Sequence, residues 1–155
     1  MTAIEFTVAG QPVPQGSSRA FRAGDHARLV STTPRLSAWR ADIAAEARAA
    51  MARRQVIAQG PIAIRLEFRP RPRPESHFLP ANSRRPVRIL RPDAPVWNDG
   101  TPDADKLARA ALDALSGVVW RDDRQVASLT ALTLWPDDGE TTGVDVRIHQ
   151  LEATR

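Results

Sequence analysis

Residues 61–69, PIAIRLEFR, constrain the fold more than any other stretch: Ile62, Ile64, Leu66 and Phe68 alternate with Ala63, Arg65, Glu67 and Arg69. A period of two puts the four large apolar side chains on one face of an extended chain, so the run predicts a half-buried strand. Three other stretches follow the same rule. AIEFTVA (3–9) sets Ile4, Phe6 and Val8 against Glu5 and Thr7, and TTGVDVRIHQLE (141–152) sets Val144, Val146 and Ile148 against Asp145, Arg147 and His149. QVASLTALTLWP (125–136) carries Val126, Leu132 and Leu134 on one parity and Leu129 and Trp135 on the other. The turn Pro136-Asp137-Asp138-Gly139 between the last two predicts that they pair as a hairpin.

Two stretches have the period of a helix instead. After Thr33-Pro34, a cap followed by proline at the first helical position, Leu36, Trp39, Ile43, Ala47 and Met51 recur every three or four residues. Arg53 and Arg54 end that run, where cations suit the helix dipole. A second helix is predicted from Thr101 to about Gly117, with Leu107, Ala110, Ala111, Ala114 and Leu115 as its apolar stripe and Ser116-Gly117 as its stop. The order β-α-β-α-β-β predicts an α+β fold: one compact domain over residues 1–155, two helices packed on a small mixed sheet. GQPVPQGSSRAFRAGDHARLV (10–30) has the composition of a loop or arm. Residues 70–100, rich in proline and arginine, form a long loop insertion before the second helix. A connection of that length is a functional loop or a mobile insertion.

At 155 residues the chain can bury roughly two-thirds of its unfolded surface. It has no cysteine, which excludes disulfides, thiolate metal sites and a cysteine nucleophile. No apolar run approaches a membrane span and no leader pattern opens the chain, so a cytoplasmic protein without a membrane partner is expected. The net charge is +4, carried by 21 arginines and a single lysine, Lys106. Clustered arginine favours a polyanionic partner, because it displaces counterions from phosphates.

Against that basic background, TPDADKLARAALDALSGVVWRDDRQV (101–126) gathers Asp103, Asp105, Asp113, Asp122 and Asp123. Inside a helix, residues two apart point about 200° apart, but in extended chain they point the same way. Pro102 disfavours a helical Thr101. With Asp103 just outside the helix and Asp105 in its first turn, both carboxylates can face one point, and Asp122 and Asp123 can return to it across the sheet. Oxygen ligands without sulfur suit Mg²⁺, which takes a few carboxylates, waters and phosphate oxygens. The same residues allow other roles: Asp103 as a cap, Asp105 as a first-turn acid, Asp105–Arg109–Asp113 as an ion-pair ladder, and Asp122-Asp123 as a turn.

The stretch also resembles the signature of the RusA family of Holliday junction resolvases, P-D-x-D-N-L, a basic residue, D-A-L, a short apolar stretch, then W-x-D-D-x-Q-V. Pro102, Asp103, Asp105, Leu107, Asp113-Ala114-Leu115, Trp120, Asp122-Asp123 and Gln125-Val126 match it in order. The resemblance implies a homodimeric endonuclease that uses Mg²⁺, with Mn²⁺ able to substitute. It would resolve four-way or branched DNA by paired phosphodiester hydrolysis, in recombination and repair; small arginine-rich members of this kind are often phage-borne.

Carried over by position, Asp103, Asp105 and Asp123 match the metal-binding aspartates, with Asp122 adjacent. The catalytic lysine of the family falls on Arg109, and its usual asparagine falls on Lys106. Since the chain's one lysine sits at this site, Lys106 is expected to supply the ammonium near the scissile phosphate that relatives take from one turn later, with Arg109 as the alternative. Arg19, Arg22, Arg71, Arg73, Arg84, Arg85 and Arg88, together with Arg69 and Arg91, are candidate phosphate contacts.

Other residues carry less. Trp39 and Trp135 are expected in the core. Trp97 is expected to pack over the core or stack on an unpaired base. Trp120 is expected to wedge the Asp122-Asp123 segment against the second helix, and Asp113 to pair with Arg109. His26, His77 and His149 lack ligand spacing, and Ser17-Ser18 lacks a paired His and Asp. The alternative function is a non-catalytic basic DNA-binding protein with a degenerate acidic cluster. A D-x-D sugar-nucleotide transferase fits poorly, because the chain is short and shows no Rossmann-like run.

Overall fold

The computed structural model describes residues 3–16, the backbone of 20–23 and 26–29, and residues 34–52, 54, 56–57 and 59–152. Four strands form one sheet: β1 (Ile4–Ala9), β4 (Ile62–Arg69), β7 (Val126–Thr133) and β8 (Gly143–Gln150), in the order β1-β8-β4-β7. Helices α1 (Pro34–Met51) and α2 (Ala104–Leu115) complete an α+β architecture in the predicted order of main elements. Two short hairpins add to it. β2 (Ala20–Ala23) pairs with β3 (His26–Leu29) in the predicted arm, and β5 (Phe78–Leu79) pairs with β6 (Ile89–Leu90) in the long loop.

The alternation in the sequence becomes rows across the sheet. Ile4, Ile148 and Ile64 stand side by side, as do Phe6, Val146 and Leu66, then Val8, Val144 and Phe68. These rows meet Trp39, Ile43, Ala47 and Met51 of α1 and Leu107, Ala108, Ala111 and Leu115 of α2 in one core. Each fully buried Leu, Ile or Phe there contributes about 1.5–3 kcal/mol relative to exposure. The opposite face stays open and pairs its charges: Glu5 bonds Arg147 at 2.8 Å, Arg65 bonds Glu67 at 2.7 Å and Arg69 bonds Asp145 at 2.6 Å.

The predicted hairpin of β7 and β8 is corrected. β4 lies between them, antiparallel to β8 and parallel to β7, so β4-α2-β7 is a crossover unit. The reason is burial: β4 carries large apolar residues at every second position and hides Ala63 as well, so it takes a central place. β7 presents Leu129, Ala131 and Thr133 in the same rows, and Ala131 and Thr133 are smaller or more polar than their β4 neighbours, which suits the edge.

Residues 70–100 have structure of their own. A 3₁₀ turn at Glu75–His77 leads into β5, and Asn82 Oδ1 accepts from the backbone N–H groups of Arg84 and Arg85 at 3.0 and 2.9 Å. Trp97 bridges to Leu134, while Asn98 N–H donates to the Thr133 carbonyl at 3.0 Å, so the end of the loop lies along the end of β7. Trp97 is 60% exposed rather than packed over the core. Trp39 is buried as expected, but Trp135 is only half-buried, its ring meeting His77 edge-on at 5.1 Å. Among the described residues no helix is long and apolar enough to cross a membrane.

Candidate active site at the two ends of the second helix

Asp103 is extended (φ −68°, ψ 138°) and α2 starts at the next residue, so Asp103 stands just outside the helix and Asp105 in its first turn. The Asp103 side chain makes no capping hydrogen bond, which removes the cap as its role. It instead accepts from Lys106 Nζ at 2.8 Å, both side chains being about half exposed. That hydrogen bond, with the Asp103 charge behind it, raises the Lys106 pKa above its ordinary value. Lys106 is therefore a permanent ammonium at neutral pH.

Lys106 and Asp103 line a cleft of about 440 Å³ with Arg35, Arg71, Thr101 and Gln11. The segment GQPVPQ, read from the sequence only as loop, forms its other wall. Gln15 N–H donates to the Lys106 carbonyl at 3.0 Å, Arg35 donates to Gln11 Oε1 at 3.2 Å, and Arg71 donates to Thr101 Oγ1 at 2.7 Å. Three cations thus surround one carboxylate beside a helix N-terminus, whose free N–H groups favour anions. Arg35 and Gln11 were not singled out from the sequence. Their only signal was that Gln11 and Pro12-Val13-Pro14 precede the helix carrying Arg35.

Asp105 lies on the other flank of α2. With Arg109 it rims an apolar groove lined by Ala104, Ala108, Leu112, Leu129 and Ala131. Neither Asp105 nor Arg109 has a hydrogen-bond or ion-pair partner among the described residues. The expected pairing of Asp113 with Arg109 is corrected: Asp113 accepts from Arg40 of α1 at 2.7 Å, because it faces the neighbouring helix. Arg40 also donates to Gln15, tying the GQPVPQ wall to both helices.

The far end of α2 is built by WRDDRQV. Trp120 is fully buried and its indole N–H donates to Asp123 Oδ1 at 2.9 Å, the wedge that was expected. Asp122 accepts from Arg124 N–H at 2.9 Å and from the Arg124 guanidinium at 2.7 Å. These bonds, the guanidinium first, pull the Asp122 pKa down to about 2. Gln125 Oε1 accepts from the backbone N–H groups of Arg121 and Asp122, both at 3.0 Å, and its amide donates to the Ile57 and Gly60 carbonyls. Asp122 and Gln125 together form a capping box, which fixes where Asp123 stands.

Twelve helical residues separate the two acidic ends, a span of about 18 Å. The structure therefore does not bring Asp103 and Asp105 together with Asp122 and Asp123 in one chain. Among the described residues no three Asp, Glu, His or Cys gather in one place. The donors available are carboxylate oxygens only, the chemistry of a hard cation such as Mg²⁺, and that ion needs only one or two of them beside water and phosphate. The residues fit such an ion as partial sites.

The candidate DNA contacts divide. Arg19 lies outside the described residues, as does the Arg22 side chain. Arg69 is buried against Asp145, which raises its pKa, and Arg73 donates to the Pro95 carbonyl at 2.7 Å and to that of Pro136. Both are structural ties. Arg85 donates to the Pro80 carbonyl at 2.7 Å, Arg88 pairs with Glu75 and stacks over Phe78 at 4.2 Å, and Arg91 bonds Asp93 at 2.9 Å. Arg71 faces the cleft, and the Arg84 guanidinium has no partner among the described residues.

Comparison with known proteins identifies the family. The family model for endodeoxyribonuclease RusA matches residues 9–149. A protein of Bacillus subtilis (strain 168), bearing the name uncharacterized protein YqaN, is 28% identical over 156 aligned residues, which cover 99% of this chain and all of that protein.

Proposed function

The chain belongs to the RusA endodeoxyribonuclease family, and on that premise we propose that it is a Mg²⁺-dependent endonuclease resolving four-way DNA junctions in recombination and repair. The observation that carries this reading is the cleft at the start of α2, where Asp103 and Lys106 face Arg35 and Arg71 beside free helical N–H groups. Bound Mg²⁺ would supply an activated water and neutralise charge on the phosphodiester. Asp103, Asp105 and Asp123 are the residues proposed to hold it, while Asp122 serves as the cap that sets Asp123 in place.

The chain's own side chains then do the rest. Lys106 holds the phosphate as a point charge and leaves Asp103 for it as DNA enters, and Arg71 and Arg35 orient the flanking backbone. Arg109 lines the groove on the Asp105 side of α2 and is the alternative for that role. Recognition rests on phosphate positions and on junction shape.

The test is Asp105→Asn, which keeps shape and removes a charge. Nicking of a synthetic junction in Mg²⁺ should fall to background while junction binding by gel shift persists. Undiminished nicking would refute the assignment. A non-catalytic binder of branched DNA is the second reading, favoured by the absence of three gathered acids among the described residues. It predicts binding by the wild-type chain with no nicking at all.

A further inference from the structure

Residues 70–93 carry six arginines against Glu75 and Asp93, a surplus equal to the +4 of the whole chain. Within them the β5–β6 hairpin stands out from the domain: of residues 80–89, all but Arg85 are exposed. The hairpin is stiff. Asn82 and Arg85 exchange both backbone hydrogen bonds, at 2.7 and 3.0 Å, and the Arg85 guanidinium donates across it to the Pro80 carbonyl at 2.7 Å. Pro80 and Pro86 fix the backbone on either side of that turn. At the base, Arg91 N–H donates to the His77 carbonyl at 3.0 Å.

Two large apolar side chains are nevertheless left in solvent, Val87 at 67% and Ile89 at 44% exposure, while Arg88 between them turns onto the Phe78 ring. The polar group best suited to read a base is already used, since Asn82 Oδ1 accepts from Arg84 and Arg85 N–H. What the hairpin offers outward is apolar surface beside the unpartnered Arg84 guanidinium.

We infer that this hairpin lies in the minor groove of a duplex arm next to the cleaved strand, with Val87 and Ile89 against the base edges and Arg84 on a bordering phosphate. The surplus charge selects a polyanion as the occupant. The apolar pair selects the groove, because the major groove is read by matched donors and acceptors whereas minor-groove binders combine arginine with apolar wedges. Its place in the fold agrees. Phe78 and Arg88 line a cleft of about 600 Å³ with Gln11, which also lines the cleft of Asp103 and Lys106, and the run Pro70-Arg71-Pro72-Arg73 passes from one cleft to the other. A backbone seated at Lys106 therefore continues toward the hairpin. Base pairs differ in the minor groove chiefly by the guanine N2 amino group, which an apolar side chain cannot pair. The hairpin thus adds a preference for arms lacking that group. The inference rests on the DNA-binding part of the reading above and not on cleavage.

Junction affinity is measured by gel shift without metal, with inosine replacing guanine in the arms, which removes only that amino group. The wild-type chain should bind the inosine junction about tenfold more tightly. Val87→Ser should abolish the difference with the unfolding midpoint unchanged. Replacing guanine by 7-deazaguanine, which alters only the major groove, should have no effect. Equal affinity for guanine and inosine junctions, or an inosine preference that survives Val87→Ser, overturns the proposal, as does a loss of affinity with 7-deazaguanine. Arg84→Ala should weaken binding to both junctions alike and flatten the slope of log affinity against log salt by about 1; an unchanged slope overturns the phosphate contact. Nicking of the same junctions in Mg²⁺ separates the two readings. A groove preference without nicking refutes the nuclease alone, and nicking without a groove preference refutes the hairpin alone.

Discussion

The two ends of α2 carry the same kind of residue under opposite conditions. At the C-terminal end, Asp122 and Asp123 are held by Arg124, Gln125 and the buried Trp120, so each carboxylate has its position fixed by protein. At the N-terminal end, Asp105 has no hydrogen-bond or ion-pair partner among the described residues and Asp103 has one, an exposed lysine whose charge resembles that of a bound cation. The difference shows what the signature encodes. P-D-x-D leaves carboxylates available to a ligand, while W-x-D-D-x-Q spends most of its residues on positioning a single one.

Breaking the positioned end should have the larger effect. Trp120→Ala removes a fully buried ring and the donor to Asp123, and should cost about 3–5 kcal/mol in chemical denaturation. A loss under about 1 kcal/mol would mean that end is not held as described. At the open end the effect belongs to activity rather than stability. Lys106→Ala should lower junction nicking by about 100-fold, the scale for removing one charged group from a developing oxyanion, with the unfolding midpoint unchanged. Arg109→Ala should change nicking much less; the reverse ranking would return the basic role to Arg109.

A pH titration sharpens the contrast with a smaller signal. Asp122 titrates at about 2 in the folded chain against an ordinary 3.8, so its capping bonds add stability above about pH 4. That contribution is lost as the pH falls through about 2. Carboxyl carbon shifts by nuclear magnetic resonance should place its midpoint near 2, and an ordinary midpoint would mean that the Arg124 contacts do not persist in solution.

Much of this was legible in the residues. Alternation gave the faces of β1, β4 and β8, because a period of two reports burial directly, whereas β7 carries apolar residues on both parities. It did not give neighbours, and so the turn at Pro136–Gly139 suggested a hairpin where β4 intervenes. The edge position of β7 had no signal in the sequence, since the small residues Ala127 and Ala131 suit an edge and a tightly packed interior alike. The hairpin of β2 and β3 was hidden because each strand has only four residues, interrupted by Gly24-Asp25. In the site, Asp103 and Asp105 fell where the proline and helix start placed them. The pairing of Asp113 with Arg40 depends on how α1 packs on α2, which no spacing within α2 can reveal.

The central claim is a Mg²⁺-dependent endonuclease selective for branched DNA, and one assay addresses it directly. Wild-type protein is incubated with a synthetic four-way junction and with linear duplex of the same sequence, with and without Mg²⁺. Paired nicks in the junction alone, and only with the metal, are predicted. Binding without nicks, or equal nicking of the duplex, would contradict the account.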